Sequence, residues 1–302
     1  MSVNFRRLRA FTTVARTRSV TEAARELNLT PPAVTKSVRE LEGSVGAELF
    51  DRTSSGMILT RAGEALHLHA SRSLAEIEQG LDEVSALMGG SGGRVVIGAT
   101  SEASNHILPI ALSQLIERRR HIDIGVHGGR HDVLARDVRE GNLDFFLGIP
   151  DDGPPPPGLI VDPLYEDELR VVARPGHPLL SRPDLTLLDL ADARWIRSAG
   201  NSVLDRKMRE CCEASGVAYP EKAIEIDQLG AMRSMLQHSD LVATATKLRV
   251  WQELDLGLLI TLPVSLPLTR HHVAVFRRDN GRLSKWAKEL LRLLQQTALQ
   301  LS

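Results

Sequence analysis

Cysteine is scarce in this chain: there are two, Cys211 and Cys212, and they are neighbours. Adjacent cysteines cannot clip distant segments together. Stability must therefore come from a packed core, which 302 residues that are 42% hydrophobic supply without a disulfide or metal staple. No apolar run approaches the ~20 residues of a membrane-spanning helix. The opening MSVNFRRLRAF lacks the long apolar run and small-residue cleavage site of a secretory signal. A net charge of −1 excludes a histone-like polycation. There is no P-loop, and no G-x-G-x-x-G follows a strand-like run. These absences lead us to expect a cytoplasmic, reduced protein with no membrane partner, built as about two domains at ~100–200 residues each.

Charge is unevenly spread. Residues 1–61 carry ten Arg and Lys against six Asp and Glu, whereas the rest of the chain is net acidic. A basic module on an acidic body suggests an anionic partner for the first segment only. Phe5, Leu8, Phe11, Val14 and Ala15 recur at helical spacing, so residues 4–17 read as an amphipathic helix. Ser19-Val20-Thr21-Glu22 matches a capping box, with Glu22 expected to reach back. The short helix it opens buries Ala23, Ala24 and Leu27. Thr30 suits an N-cap, and Pro31 and Pro32 suit a first turn, where a missing N–H costs nothing. The third helix, running to about Gly43, buries Ala33, Val34, Val38 and Leu41 and shows Thr35, Lys36, Ser37 and Arg39.

A short helix, a tight turn and a second helix displaying hydroxyls and cations form a helix-turn-helix, whose second helix enters the major groove. Thr30, Pro31, Pro32, Thr35, Lys36 and Arg39 are the expected DNA contacts on that helix. Two extended runs around Ser54-Ser55-Gly56 read as a hairpin wing, with Arg52 placed for phosphate or the minor groove. The competing reading is a helical bundle with a solvated charged face.

From Arg61 to Met88 no proline interrupts the chain, and Leu66, Ala70, Ser73, Ile77, Leu81, Val84 and Met88 make one apolar seam. Such a helix is ~40 Å long at 1.5 Å per residue. With no neighbouring helix in sequence, the seam is covered either by a second chain or by the chain's own C-terminal domain. Gly89-Gly90-Ser91-Gly92-Gly93 matches G-x-S-x-G, but a hydrolase elbow follows a strand and opens a helix, and this one does the reverse. It reads as a flexible hinge.

Beyond the hinge, strands at Arg94–Ala99, Ile122–Val126 and Leu143–Gly148 alternate with helices after Asn105 and near Asp132–Glu140. This alternation implies a parallel α/β sheet. Asp151 to Pro157, DDGPPPP, reads as a loop. A second set follows: strands at Leu169–Ala173, Trp195-Ile196, Ala223–Ile226 and Leu241–Ala243, with helices at Val203–Ser215 and Leu229–Gln237. A last strand at His272–Phe276 and helix at Leu283–Leu299 can return to the first set. Two lobes with a ligand beyond the strands' carboxyl ends follow from this order. The strand-end rule nominates Thr100, Ser101, Gly129, Arg130, His131, Ser198, Asn201, Ser202, Thr244 and Thr246, a set suited to a small polar or carboxylated molecule. Each also fits a bland role as helix cap or turn former.

The stretch from Leu8 to Gly63 closely resembles the N-terminal domain of LysR-type transcriptional regulators, through Ser19–Ala24, Pro32–Glu42, Leu49–Arg52 and Leu59–Gly63. The body is similar to the effector-binding domain of the same family, which looks like a periplasmic solute-binding fold, through Leu143–Gly148, Pro163–Leu169 and Ala173–Leu179. Departures are Pro31, where family members often carry Gln, the four-proline loop, and Thr244-Ala245-Thr246. The resemblance implies a winged helix-turn-helix domain over residues 1–60 and a dimerising linker helix and hinge over 61–91. It implies an α/β effector-binding domain over 92–302, with lobe 1 near 92–162 and 267–302 and lobe 2 near 163–266. It also implies a homodimer through the linker, a homotetramer, and double-stranded DNA as partner, read as an interrupted palindrome by paired helices.

His67, His69, His271 and His272 lack a Cys or carboxylate at metal-ligand spacing, and Cys211 and Cys212 read as small hydrophobic fillers. No cofactor, metal or catalytic set is expected. Beside the regulator stands one alternative, an enzyme of two α/β lobes with an N-terminal helical arm.

Overall fold

The computed structural model describes residues 3–54, 56–87, 93–197, 202–220, 223–226, 228–267 and 270–300. Helix α1 (Phe5–Thr17) starts where the Asn4 side chain accepts from Arg7 N at 3.0 Å, and it ends where Arg18 turns left-handed. Ser19 caps α2 (Val20–Glu26) as expected, accepting from Glu22 N at 3.3 Å. The reciprocal half of the capping box is absent: the Glu22 carboxylate instead accepts from Arg25 one turn on. Asn28, at φ 53°, makes the tight turn into α3 (Pro31–Val45). Val34, Val38 and Leu41 of α3 meet Phe11, Val14, Ala23 and Ala24 in one core.

The wing is an antiparallel hairpin of β1 (Phe50–Thr53) and β2 (Gly56–Leu59). Met57 N donates to Arg18 O at 3.0 Å, which ties the wing to the end of α1. A Cβ at Gly56 would lie 2.5 Å from that same carbonyl, so only glycine lets the strand approach. Helix α4 (Arg61–Leu87) then runs out of this core, leaving Ala70 within it.

The body holds β3 (Gly93–Ala99), α5 (Ile107–Arg118), β4 (Ile122–Gly128), α6 (His131–Glu140) and β5 (Phe145–Gly148). These are followed by β6 (Leu159–Ala173), β7 (Arg194–Arg197), α7 (Val203–Ala214), β8 (Ala223–Glu225), α8 (Leu229–Gln237), β9 (Leu241–Thr246) and α9 (Trp251–Asp255). The chain closes with β10 (Ile260–Thr261), β11 (Arg270–Arg278) and α10 (Lys285–Leu299). The strand order is β4-β3-β5-β11-β6-β9-β7-β8, with β10 on β6. Strands β3, β4 and β5 are parallel, as are β7, β8 and β9.

Long antiparallel β6 joins the two parallel sets, pairing with β11 along Leu159–Glu168 and with β9 along Leu169–Val172. It therefore starts ten residues before the strand expected at Leu169–Ala173, because β11 supplies a ladder no local pattern announces. The expected boundary near residues 162 and 163 falls inside this strand.

Gly93 is the first residue of β3, and a Cβ there would meet Trp286 Nε1 at 1.7 Å. That end of the glycine run is thus packing space for α10; residues 89–92 lie outside the described residues. Cys211 and Cys212 are buried core residues. Burial pushes the Cys211 thiol up to about 11, and its Sγ donates to Pro267 O.

Among the described residues no helix is long and apolar enough to cross a membrane.

Candidate DNA interface and ligand site

The exposed side of α3 brings most of the expected DNA contacts together. Pro31, Pro32, Thr35, Lys36 and Arg39, with Glu40, line one open depression of about 710 Å³. Pro31 and Pro32 occupy the first two helical positions. Thr30 stands at the N-cap, yet its side chain makes no cap hydrogen bond, so this hydroxyl is exposed ahead of the helix. Glu40 was not anticipated in this face. Its carboxylate takes Arg7 at 3.0 Å and Lys36 at 3.9 Å, holding a cation from α1 beside the cations of α3. Arg52 is exposed on β1 opposite Met57.

In the body, Thr100 follows β3 directly, and its N–H donates to Leu147 O at 2.9 Å. The side chain is 8% exposed, and Thr100 Oγ1 is buried with no hydrogen-bond partner among the described residues. His131, the first residue of α6, has Nε2 in the same condition. A Cβ on Gly148 would lie 3.2 Å from Thr100 Cγ2 and 3.6 Å from His131 Cδ2, so the two side chains flank the end of β5. His131 also stands edge-on to Phe146 and Phe276, at 5.0 and 4.7 Å between ring centroids. Burial holds this imidazole below its ordinary range, against the pull of Asp151 and Asp132 and with help from Arg206. The shift favours the neutral ring, which can donate or accept.

Arg206 and Lys207 on α7 are further residues that the strand-end rule missed. Arg206 Nη2 pairs with Asp151 Oδ1, and Lys207 Nζ lies 3.9 Å from Asp152 Oδ2. With Val203 and Glu210 these four residues line a cavity of about 440 Å³. The sequence signal existed but was mute: Asp151 and Asp152 looked like a loop, and the two cations like a solvated helix face.

The other nominated residues divide. Ser101 is exposed, and its carbonyl accepts from Asn105 Nδ2 at 2.6 Å. Gly129 packs on Leu134, and Arg130 points to its own Asp132 at 3.2 Å with its side chain 83% exposed. Ser202 Oγ accepts from Asp205 N at 3.2 Å and caps α7, the bland role. Ser202→Ala is accordingly expected to cost about 1 kcal/mol of stability in a urea melt, with any ligand response unchanged. Ser198 and Asn201 lie outside the described residues.

Thr244 and Thr246 do not follow their strand, as the sequence suggested, but lie in it. They pair with Val171 and Leu169, because β6 lies alongside β9 at these positions. Thr246 is wholly buried and accepts from Arg249 N at 3.3 Å.

His67 is buried beside Glu140, His69 is exposed, and His271 is buried on β11 opposite Asp167, with His272 exposed. Among the described residues, no three His, Cys, Asp or Glu side chains are grouped to hold a metal ion.

A winged helix-turn-helix head joined by a long helix to a two-lobed α/β body defines the class: a DNA-binding regulator with a ligand-binding body. Residues 5–64 match the bacterial regulatory helix-turn-helix protein, lysR family, and residues 88–299 match the LysR substrate binding domain. The chain belongs to the LysR family of transcriptional regulators. It is 31% identical to the HTH-type transcriptional regulator GalR of Pseudomonas putida, over 96% of this chain and 73% of that one. A full-length OxyR variant of Pseudomonas aeruginosa shares the fold at a TM-score of 0.72 and 18% identity, covering 99% of this chain and 95% of that one. Full-length LysG of Corynebacterium glutamicum, solved with bound effector arginine, does so at 0.66 and 16%, covering 99% of each.

Proposed function

We propose that this regulator binds an interrupted palindrome as a dimer joined through α4, and that a small polar or carboxylated effector bound between the lobes controls it. Assembly into a homotetramer and a cytoplasmic location belong to the same reading. The observation that carries the effector site is the pair of orphaned polar atoms, Thr100 Oγ1 and His131 Nε2, on either side of Gly148. A buried donor or acceptor without a partner is costly, so native proteins keep few unless something completes them.

Helix α6 carries the signal. It begins at His131 and ends on α4: Arg72 Nε donates to Arg139 O at 2.9 Å, and His67 Nδ1 lies 3.5 Å from Glu140 Oε1. Ten residues of helix span ~15 Å. His67 in turn stands edge-on to Phe11 of the head, 6.0 Å between centroids. An effector that shifts α6 therefore moves the seat of α4, altering spacing or angle between two heads and sparing each head's own contacts.

The test is Thr100→Val, which removes a hydroxyl and keeps the volume. The intact protein is first screened by melting temperature against small carboxylates, aromatic acids and sugars, since a ligand at 100 times its Kd adds ~2.7 kcal/mol. Thr100→Val is expected to hold its operator within about twofold in a gel shift and to lose the response to that compound in transcription. Full response at unshifted concentration removes Thr100 from the site. The enzyme alternative requires turnover that survives deletion of residues 1–60.

A further inference from the structure

We propose that the effector is an acid with two carboxylate groups, and that the chain's own Asp151 and Asp152 occupy its place until it arrives. This rests on the inter-lobe reading above. The two cations and the two carboxylates are unlike in mounting. Arg206 and Lys207 sit on consecutive positions of α7, a helix anchored by buried Leu204, Met208, Cys211 and Cys212. Asp151 and Asp152 sit on the loop after β5, ahead of Gly153 and four prolines that pair with no strand.

They are also unlike in exposure. The Arg206 and Lys207 side chains are 37% and 12% exposed, against 58% and 82% for Asp151 and Asp152. The two cations are thus the less exposed members of the pairs lining the 440 Å³ cavity, which the half-buried Glu210 of α7 also lines. Lys207 is the less satisfied of the two cations. Among the described residues its one ion pair is the 3.9 Å contact to Asp152, longer than a charged hydrogen bond.

Exposed ion pairs exchange readily, because each partner loses little by returning to water. A free dicarboxylate brings both negative charges on one short frame. It can take Arg206 in the two-bond geometry that guanidinium favours and close on Lys207 at the same time. The released loop then no longer links lobe 1 to α7. His131, which both Asp151 and Arg206 influence, feels that exchange at the first turn of α6. A monocarboxylate can replace only one aspartate and leaves the other link in place.

The experiment uses the full-length protein on its operator at constant ionic strength. The probes are succinate, glutarate and phthalate, with butyrate, benzoate and sulfate as controls, read by melting shift and by change in gel mobility. At least one dicarboxylate is expected to bind ten times or more tighter than any control. The Asp151→Asn and Asp152→Asn double variant is expected to bind it about tenfold tighter, with its competitor gone, and Arg206→Gln at least tenfold weaker. Arg206→Lys, which keeps the charge but not the fork, should fall between.

If no dicarboxylate binds the double variant, or if Arg206→Gln binds like the parent, the acid proposal is overturned. A neutral ligand lost with Thr100→Val but kept with Arg206→Gln would overturn it too, leaving the inter-lobe reading intact. A dicarboxylate sensitive to Arg206→Gln and indifferent to Thr100→Val supports this site and counts against that reading.

Discussion

Replacing both Ile77 and Leu81 with aspartate is expected to break the proposed pairing through α4, halving the oligomer, and to lower operator affinity by a hundredfold or more. Helix α4 has two faces with different fates. One docks on the body of its own chain through Arg72, through Gln79 Nε2 donating to Arg282 O at 3.0 Å, and through Glu76 at 3.7 Å from Arg278. Ala75 fills the gap beside Gly141, where an added Cβ would meet it at 2.7 Å.

The outer half of the expected seam is the other face; its first residues, Leu66 and Ala70, pack into the head core instead, because α4 starts against α1. Ile77, Leu81 and Val84 remain 48%, 62% and 57% exposed. Each such side chain gains about 1.5–3 kcal/mol when fully buried, and a two-fold axis counts every contact twice. Two buried aspartates on each chain would reverse that gain. Sedimentation would report the halved oligomer, and a gel shift the lost affinity, since a head no longer paired through α4 holds one half-site only. An unchanged oligomer would mean that the seam is not the interface.

Alanine at both Lys36 and Arg52 is expected to abolish operator binding at physiological salt, and the single variants should separate two kinds of contact. Thr35 and Lys36 lie within the α3 depression that faces the duplex in the proposed complex. Losing a base-edge contact costs ~1–3 kcal/mol of discrimination. Thr35→Ala should therefore weaken the operator about tenfold or more and random duplex much less. Arg52, exposed on the wing, is the proposed phosphate contact. Arg52→Ala should weaken both duplexes alike and lower the slope of log affinity against log salt by about 1. Fluorescence anisotropy across a salt series measures both. Equal losses for Thr35→Ala on operator and random DNA would count against this placement of α3.

The head was legible in the residue order because its contacts are short in sequence. Phe11, Ala24, Val34 and Leu41 meet within forty residues, and each of its helices carries its own period and start signal. Even so, local chemistry did not decide every partner. Glu22 had Arg25 one turn away and took it in place of its own N-cap. Ser202 satisfied a helix end before any ligand could claim it.

In the body, the alternation of strands and helices announced the lobes, but strand lengths depended on neighbours. Thr244 and Thr246 joined β9 because β6 lies alongside, and β6 is long because β11, a hundred residues on, pairs with it. The proposed ligand site arises in the same way. Thr100 meets His131 across Gly148, and Asp151 meets Arg206, only once the sheet has set those strand ends and α7 side by side. The sequence by itself determined the kinds of elements, the head and the polar side chains its third helix exposes, since periodicity and capping act over a few residues. Which face of α4 stays bare, and that Asp151 and Asp152 pair with α7, was decided by tertiary packing, because burial and charge pairing depend on distance in space.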